Sequence, residues 1–408
     1  MSDIQQPSEP ASGPVIYQRG MFAGLSRNAL LLGWVSFLTD LASEMVYPII
    51  PLFITTTLGA SVLTLGVIEG VAEGVASLMK AASGLLSDRF RRRSPFIAAG
   101  YGLSAVGKII LASSTVWYTA LASRTLDRFG KGLRGSPRDA LLAESVAPEH
   151  RGKAFGIHRG MDTMGAVCGP LLALLVLSQA HPDLRRVLWY AVLPAIASVL
   201  VAFIVRDVVK PRQRGEAAAK HPPLSPVMRH YLIGWGVFAC ANSSDAFLLL
   251  RTKEMGFAIQ GTILLYTAYN VVYALASPFL GKLSDRVGRK VLLLGGLVVF
   301  ALVYASIGLA QAPWHLWVLF AIYGLYIAAT DGIGKALAVD LAAPEARATA
   351  IGWLGLVSGL GAVTAGVLGG VLWNYVGSWA TFLLGSVGAL GALAILAGLR
   401  VPQRQAAG

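Results

Sequence analysis

Twelve long apolar runs follow one another along the chain, and short polar segments separate them. Each run can cross a bilayer as an α-helix, which takes about 20 residues. The predicted helices, numbered 1 to 12 in chain order, cover residues 28–56, 63–86, 95–114, 117–143, 152–178, 187–206, 229–252, 260–284, 290–310, 314–341, 347–374 and 378–399. The pattern therefore predicts an all-α protein that crosses a membrane twelve times.

One polar segment in the middle of the chain divides these helices into two groups of six. Residues 207–228 contain Lys210-Pro-Arg-Gln-Arg214 and His221-Pro-Pro, so we expect a proline-broken linker and not a domain. The predicted organisation is a tail over 1–27, a first half over 28–206, the linker, a second half over 229–399 and a tail over 400–408. The first tail is polar, so a signal peptide is not expected.

Composition supports the membrane assignment. Hydrophobic residues make up 55% of the chain and charged residues 13%, whereas soluble domains carry about 25% charged residues. The net charge of +13 collects in loops between apolar runs, and no nucleic-acid-binding module is recognisable, so no nucleic-acid partner is expected. The two cysteines, Cys168 and Cys240, lie inside apolar runs and form neither a disulfide framework nor a metal pattern.

Basic residues mark one side of the predicted bundle. The loops after helices 2, 4, 6, 8 and 10 are rich in Arg and Lys, and the loops on the other side are short and mostly uncharged. The positive-inside rule therefore predicts that both termini and the linker are cytoplasmic. We expect a multi-pass protein of the cell inner (plasma) membrane.

Two short segments repeat at about half the chain length. Gly84-Leu-Leu-Ser-Asp-Arg89 returns as Gly281-Lys-Leu-Ser-Asp-Arg286, 197 residues later, and a longer segment around residues 146–156 returns at 342–352. Such repeats indicate two six-helix halves in the same orientation, an arrangement typical of transporters that bind substrate between the repeats.

The repeated loop resembles the signature of the major facilitator superfamily, Gly-x-x-x-Asp-Arg-x-Gly-Arg-Lys. Its second copy, Gly281 to Lys290, fits the signature fully, and the first copy departs at Arg91, where the family usually has Gly. The resemblance covers nearly the whole chain. It implies the major facilitator fold, an all-α membrane protein with twelve transmembrane helices in two six-helix repeats.

The resemblance also implies a cytoplasmic gate. In the family, the loop aspartate lies against helix ends of the other half and holds the cytoplasmic side shut, because a helix N-terminus favours a carboxylate. Asp88 would then lie at the start of helix 11 near Arg347, and Asp285 at the start of helix 5 near Arg151. A basic loop that only sets orientation is the alternative. The predicted gate comprises Gly84, Asp88, Arg89, Arg92, Gly281, Asp285, Arg286 and Arg289.

Ionisable residues crowd the first half. A charge at bilayer depth is costly and normally faces a partner or water. We therefore predict a buried acid–base network between helices 1, 2, 4 and 5, with Asp40, Glu73, Arg124 and Arg128 at similar depth. Its functional reading is that at least one carboxylate binds and releases a proton, and the alternative is a set of structural ion pairs. The candidates are Asp40, Glu44, Glu69, Glu73, Arg124, Asp127, Arg128, Lys131, His158, Arg159 and Asp162.

Two further segments resemble family motifs. The run Arg128-Phe-Gly-Lys-Gly132 resembles the helix-4 signature Arg-x-x-Gln-Gly, whose Arg is associated with proton transfer in proton-coupled members, with Lys131 in place of Gln. Helix 5 resembles the antiporter motif without its last glycine pair, and generic small-residue packing is the alternative. The helix-5 positions are Gly156, Gly165, Gly169 and Pro170.

The second half has fewer polar positions, and they suit the wall of a substrate cavity. Asp331 and Lys335 are four residues apart, so a local salt bridge is an equal alternative for that pair. The cavity candidates are Asn242, Asp245, Tyr266, Asn270, Tyr273, Asp331 and Lys335.

The predicted function is secondary transport. The chain has no Gly-x-x-x-x-Gly-Lys-Ser/Thr motif, so we expect a proton gradient as the energy source and no cofactor. The polar residues form no nucleophile–base or metal-ligand pattern, so we expect neither a metal nor enzyme activity. The leading prediction is proton-coupled export of a small organic molecule by a monomer in the lipid bilayer. Alternatives are proton-coupled uptake of an anionic metabolite or a metal chelate such as a siderophore and, more remotely, a membrane sensor that does not transport.

Overall fold

The chain folds into helices alone within the residues that its computed structural model describes, which are 24–90, 92–147, 150–178, 183–208, 224–343 and 346–400. The helices are α1 Arg27–Thr57, α2 Val62–Phe90, α3 Ser94–Ser113, α4 Trp117–Glu144, α5 Arg151–Leu177, α6 Leu184–Ile204, α7 Pro226–Glu254, α8 Ile259–Val287, α9 Arg289–Leu309, α10 Trp314–Leu341, α11 Arg347–Tyr375 and α12 Ser378–Ala397. The predicted fold, twelve helices in two six-helix repeats, is confirmed.

Two of these helices are interrupted. The sequence predicts a continuous helix α7, but it consists of Pro226–Ala241 and Asp245–Glu254 with a non-helical break between them. Helix α1 is regular only as far as Val46 and then passes through a 3₁₀ turn and a π turn. Pro48 and Pro51 lie in that part. Proline cannot donate a backbone hydrogen bond, so these two residues explain why the helix is irregular there.

Eleven helices in the described part of the chain are long and apolar enough to cross a membrane. The remaining helix, α4, is excluded by its charges. It must cross as well, because it connects the ends of α3 and α5 that lie on opposite sides of the bundle. We call the side with the α2–α3, α4–α5, α8–α9 and α10–α11 connections the basic face, and the other side the opposite face.

The two halves meet closely near the opposite face. A Cβ atom placed on Gly70 of α2 would lie 3.0 Å from the Cα of Val363 in α11. Nearer the basic face, Cβ atoms on Gly352 and Gly355 of α11 would have no atom within 4 Å. Helices α2 and α11 therefore diverge toward the basic face, and the space between the halves widens in that direction.

The apolar core has the same asymmetry. One large buried cluster joins side chains of both halves near the opposite face, where Phe53 and Leu65 belong with Phe247 and Leu249. A smaller cluster, which includes Ile97, belongs to the first half alone. Burial of apolar surface thus holds the halves together on the side where the cavity is closed.

Candidate functional site

A cavity of about 460 Å³ lies between the two halves, a size that suits a small organic ligand. Helices α1, α2, α3 and α4 supply its wall in the first half, and α7 and α8 supply most of it in the second. Of the predicted site residues, the structure brings thirteen to this wall: Asp40, Glu44, Glu69, Glu73, Arg124, Asp127, Arg128, Lys131, Asn242, Asp245, Tyr266, Asn270 and Tyr273.

The most buried ion pair joins α2 to α4. The guanidinium of Arg124 donates to both carboxylate oxygens of Glu69 at 2.9 Å, and the two residues are 4% and 6% exposed. One turn further along, the Nε atom of Arg128 lies 3.7 Å from the Glu73 carboxylate. The membrane depth estimated from the sequence places Arg124 level with Glu73, so the pairing of Arg124 with Glu69 was not predicted. Helices α2 and α4 run in the same direction with charges four residues apart, so their pairs form in register.

A lysine that sequence reasoning missed extends this network to α3. Lys108 is 5% exposed, and its Nζ atom donates to Asp127 at 3.0 Å. Asp127 also lies 3.7 Å from Arg124. The signal for Lys108 was a single cation in an otherwise apolar run, the same criterion that identified the charges of the other helices.

Two further carboxyl groups, on α1 and α5, lie next to each other beside these ion pairs. The carboxyl groups of Asp40 on α1 and Asp162 on α5 are close enough to interact. The Ser36 hydroxyl donates to Asp162 at 2.7 Å, and Arg159 pairs with Asp162 at 3.1 Å. Two adjacent carboxylates repel each other, which favours a proton on one of them, so the pair can hold and exchange a proton.

The helix-5 glycines provide the space for the acids of α1. A Cβ atom on Gly165 would lie 3.1 Å from the Cβ of Asp40, and one on Gly169 would lie 2.8 Å from the Cβ of Glu44. A Cβ on Gly156 would meet no atom within 4 Å, so that position has no packing role here. Pro170 is buried inside α5. Close approach of α1 and α5 thus depends on two of the predicted glycines.

Tyrosine hydroxyls hold the two remaining acids of the cavity. Tyr266 donates to Glu44 across the boundary between the halves. Asp245 accepts hydrogen bonds of 2.7 Å from Tyr269 and from Tyr323. Asp245 is the first residue after the break in α7, where the Ser244 hydroxyl caps the second segment and the helix N-terminus favours a carboxylate.

Five predicted residues lie outside the cavity wall, nearer the basic face. Arg159 reaches from α5 to the Tyr273 hydroxyl on α8 at 3.3 Å. Tyr273 in turn donates to Asp331 at 3.3 Å, and Lys335 pairs with Asp331 at 2.7 Å, as the local alternative predicted. Asp162 is the first residue in this series of polar contacts, because it pairs with Arg159. The fifth, His158, is buried, with no hydrogen-bond partner for Nε2 among the described residues.

Asp285 does not form the gate contact that the family resemblance implied. The Asp285 side chain is 69% exposed and lies 3.6 Å from Arg289, so its expected position at the start of α5 is not seen. Arg289 also donates to Asp340 at 2.6 Å. The reason is the separation of the halves at the basic face. The Asp88 side chain lies outside the described part of the chain.

The other gate positions flank these two loops. Arg89, Arg92 and Arg286 are exposed, and Gly84 and Gly281 are partly exposed. A Cβ on Gly281 would meet no atom within 4 Å. In this conformation the loops are therefore open to solvent. Arg91 is not among the residues that the structure describes.

Comparison with known sequences identifies the family. The sequence model of the Major Facilitator Superfamily matches residues 32–264 and 242–408. The chain belongs to the major facilitator superfamily. An uncharacterised MFS-type transporter of Methanocaldococcus jannaschii is 35% identical over 384 residues, which cover 92% of this chain and 94% of that protein. This chain is thus a membrane transporter of that superfamily.

Other similar proteins of the superfamily differ in what they are named for. The multidrug resistance protein MdtG of Salmonella arizonae is 24% identical over 321 residues, covering 74% of this chain and 77% of its own. The crystal structure of the nucleoside transporter NupG superposes with a TM-score of 0.74 at 16% identity, covering 91% of this chain and 98% of that one. That structural similarity shows the shared fold.

Proposed function

We propose that this superfamily member is a proton-coupled secondary transporter that exports a small organic solute from the cell. The observation that carries the proposal is the adjacent pair of carboxyl groups, Asp40 and Asp162, at the place where Gly165 lets α5 approach α1 closely. It gives the cavity wall a group that exchanges a proton. In this proposal the basic face is cytoplasmic, the protein acts as a monomer in the inner membrane, and a proton gradient takes the place of any cofactor.

The position of the pair suits coupling. Two adjacent carboxylates repel each other, so one proton between them is favoured, and a nearby guanidinium changes that balance. Arg159 contacts Asp162 and also Tyr273 of the other half. A rotation of the halves that breaks the Arg159–Tyr273 contact therefore changes the electrostatic environment of the pair. Proton exchange and opening of the cavity are linked through that one side chain.

Alternating access follows from the seam between the halves. In this conformation α2 and α11 are closed near the opposite face and separated near the basic face. Rocking of the halves about the cavity would separate the two helices near the opposite face and bring them together near the basic face. We propose that Asp285, exposed here, then contacts the start of α5 and stabilises the conformation that is closed at the basic face.

Export is preferred to uptake of an anion for two reasons. The bases of α4 that would bind an anionic metabolite or chelate already pair with acids, Arg124 with Glu69 and Arg128 with Glu73. One of the similar proteins is named for multidrug resistance, which is consistent with export. The sequence contains no Gly-x-x-x-x-Gly-Lys-Ser/Thr motif, so it offers no support for ATP as the energy source.

The test uses purified protein in proteoliposomes that contain the pH-sensitive dye pyranine. A proton gradient is imposed in each direction, and the flux of tetraphenylphosphonium and a panel of small organic compounds is measured. We expect gradient-driven flux with opposite proton movement, and Asp40→Asn is expected to abolish the proton movement. Asp183→Asn is the control, because Asp183 caps α6 far from the cavity and asparagine caps equally well. Absence of flux under both gradients would overturn the proposal.

A further inference from the structure

We infer that the substrate site is a tyrosine–carboxylate site for an organic cation with an aromatic or apolar body, formed by Glu44, Asp245, Tyr47, Tyr266 and Tyr269. The inference rests on the proposed transport function and names the chemical class of its solute. It also assigns different roles to the acids, because Glu44 and Asp245 bind solute in the cavity whereas Asp40, with Asp162 behind it, exchanges the proton.

The first observation is the row of rings. The ring centroids of Tyr47 and Tyr266 are 5.6 Å apart, and those of Tyr266 and Tyr269 are 5.2 Å apart. All three tyrosines line the cavity. Tyr47 belongs to the first half and the other two to α8, so the row crosses the boundary between the halves. Aromatic rings attract a cation within about 6 Å of the ring centre.

The second observation is the state of the acids. Six acidic and five basic residues among those described line the cavity. Glu69, Glu73 and Asp127 form ion pairs with Arg124, Arg128 and Lys108. Neither Glu44 nor Asp245 forms an ion pair within the described chain. Their hydrogen bonds come from tyrosine hydroxyls, which orient a carboxylate without cancelling its charge.

The third observation is the backbone. Glu44 lies just before the irregular turns of α1, and Asp245 lies just after the break in α7. The two helices are the first of their halves and are equivalent in the repeat. Interrupted helices at the boundary between repeats are where transporters of this kind bind solute. Here both interruptions present one carboxylate each to the same row of tyrosines.

The groups around the tyrosine row favour a positively charged solute over a negatively charged one. Two guanidinium groups, those of Arg124 and Arg128, already lie within 6.0 Å of the Tyr47 ring centre. An anion near them would compete with Glu69 and Glu73 for pairs that are already made. A cation over Tyr266 and Tyr269, on the other side of the row, meets the carboxylates of Glu44 and Asp245, which form no ion pair within 4.0 Å among the described residues. The charges of Lys131 and Arg128 act on Glu44 from the first half.

The test is equilibrium binding to the purified full-length protein in detergent, with no gradient. The probes are tetraphenylphosphonium and tetraphenylborate, which have nearly the same shape and opposite charge. We expect the cation to bind and the anion to bind at least tenfold more weakly. Glu44→Gln and Asp245→Asn should each weaken binding of the cation at least tenfold. The control, Glu254→Gln on α7 outside the cavity, should change it less than twofold.

Two variants of Tyr266 separate the ring from its hydroxyl. Tyr266→Phe keeps the ring and should stay within about threefold of the parent protein, whereas Tyr266→Leu should lose at least tenfold. The melting temperature of each variant verifies folding. Equal binding of the two probes, or cation binding that survives both carboxylate changes, would overturn the inference. Binding that behaves as expected without gradient-driven flux would overturn only the proposed transport function.

Discussion

Gly66 of α2 and Gly366 of α11 lie so close that a Cβ atom on either would collide with the carbonyl oxygen of the other. This contact closes the cavity at the opposite face. It joins the two halves through backbone atoms, which cannot move aside as a flexible side chain can. The contact is therefore specific to glycine and to the conformation described here.

Gly66→Ala is expected to favour the conformation that is open at the opposite face, because the added methyl group prevents this close approach. The measurement is labelling of a cysteine introduced by Asn270→Cys, in protein with Cys168 and Cys240 replaced by serine. A membrane-impermeant maleimide applied from the opposite face should react at least threefold faster. Gly355→Ala is the control, because a Cβ there meets no atom within 4 Å. Equal labelling in the two variants would contradict the expectation.

Loss of the Glu69 carboxylate should destabilise the protein strongly. Glu69→Gln leaves the Arg124 guanidinium, 4% exposed, without its bidentate partner and with only the longer 3.7 Å pair to Asp127. Removing one partner of a buried ion pair costs about 3–5 kcal/mol. Equilibrium unfolding in mixed detergent micelles measures the change. Glu73→Gln is the comparison, because the Glu73 side chain is 53% exposed and lies 3.7 Å from its partner. We expect a much smaller loss there, and comparable losses would show that the pairs are equivalent.

Replacing Gly288 or Gly281 by alanine should change stability in opposite directions. Gly288 has a φ of 96°, so Gly288→Ala should lower the free energy of unfolding by about 1–2 kcal/mol. Gly281 lies in the α8 helix with open space around it, so Gly281→Ala should raise the free energy of unfolding by about 0.5–1 kcal/mol. The same unfolding assay measures both. A loss of stability in Gly281→Ala as well would contradict the prediction for that position.

Asp285→Asn should separate stability from transport. The side chain is mostly exposed and its distance from Arg289 is 3.6 Å, and exposed pairs of this kind contribute little. The melting temperature should therefore stay unchanged, while the flux measured in proteoliposomes falls because the conformation closed at the basic face loses a contact. Asp340→Asn should instead lower the melting temperature, since Asp340 accepts a 2.6 Å hydrogen bond from Arg289. Unchanged flux in Asp285→Asn would argue against a gate.

Much of the fold could be predicted from the sequence because it depends on local properties. Apolar run length determines where a helix crosses, so the sequence predicts α10 at 314–341 and the helix is found at Trp314–Leu341. The break in α7 could not be predicted in this way. It depends on a serine that caps the second segment and on tyrosines of α8 and α10 that hold Asp245. The tyrosines are far from Asp245 in the sequence.

The candidate site was only partly predictable for a related reason. The cost of a charge in a membrane identified the acids and bases of α1, α2, α4 and α5, but not their partners. Partners depend on helix direction and register, as Arg124 with Glu69 shows. Tyr47, Tyr269 and Tyr323 carried no signal, because a tyrosine in an apolar run is ordinary. Their role appears only once the helices that carry them are packed together.

The paired charges of α2 and α4 also restrict how the protein can move. A slide of α4 along α2 toward the basic face by one helical turn, about 5.4 Å, would place Arg124 beside Glu73. Glu69 and Arg128 would then be left without partners inside the membrane. The two pairs therefore fix the register of these helices, and the first half has to rotate as one rigid body. Opening at the opposite face must come from the seam between the halves, not from sliding within the first one.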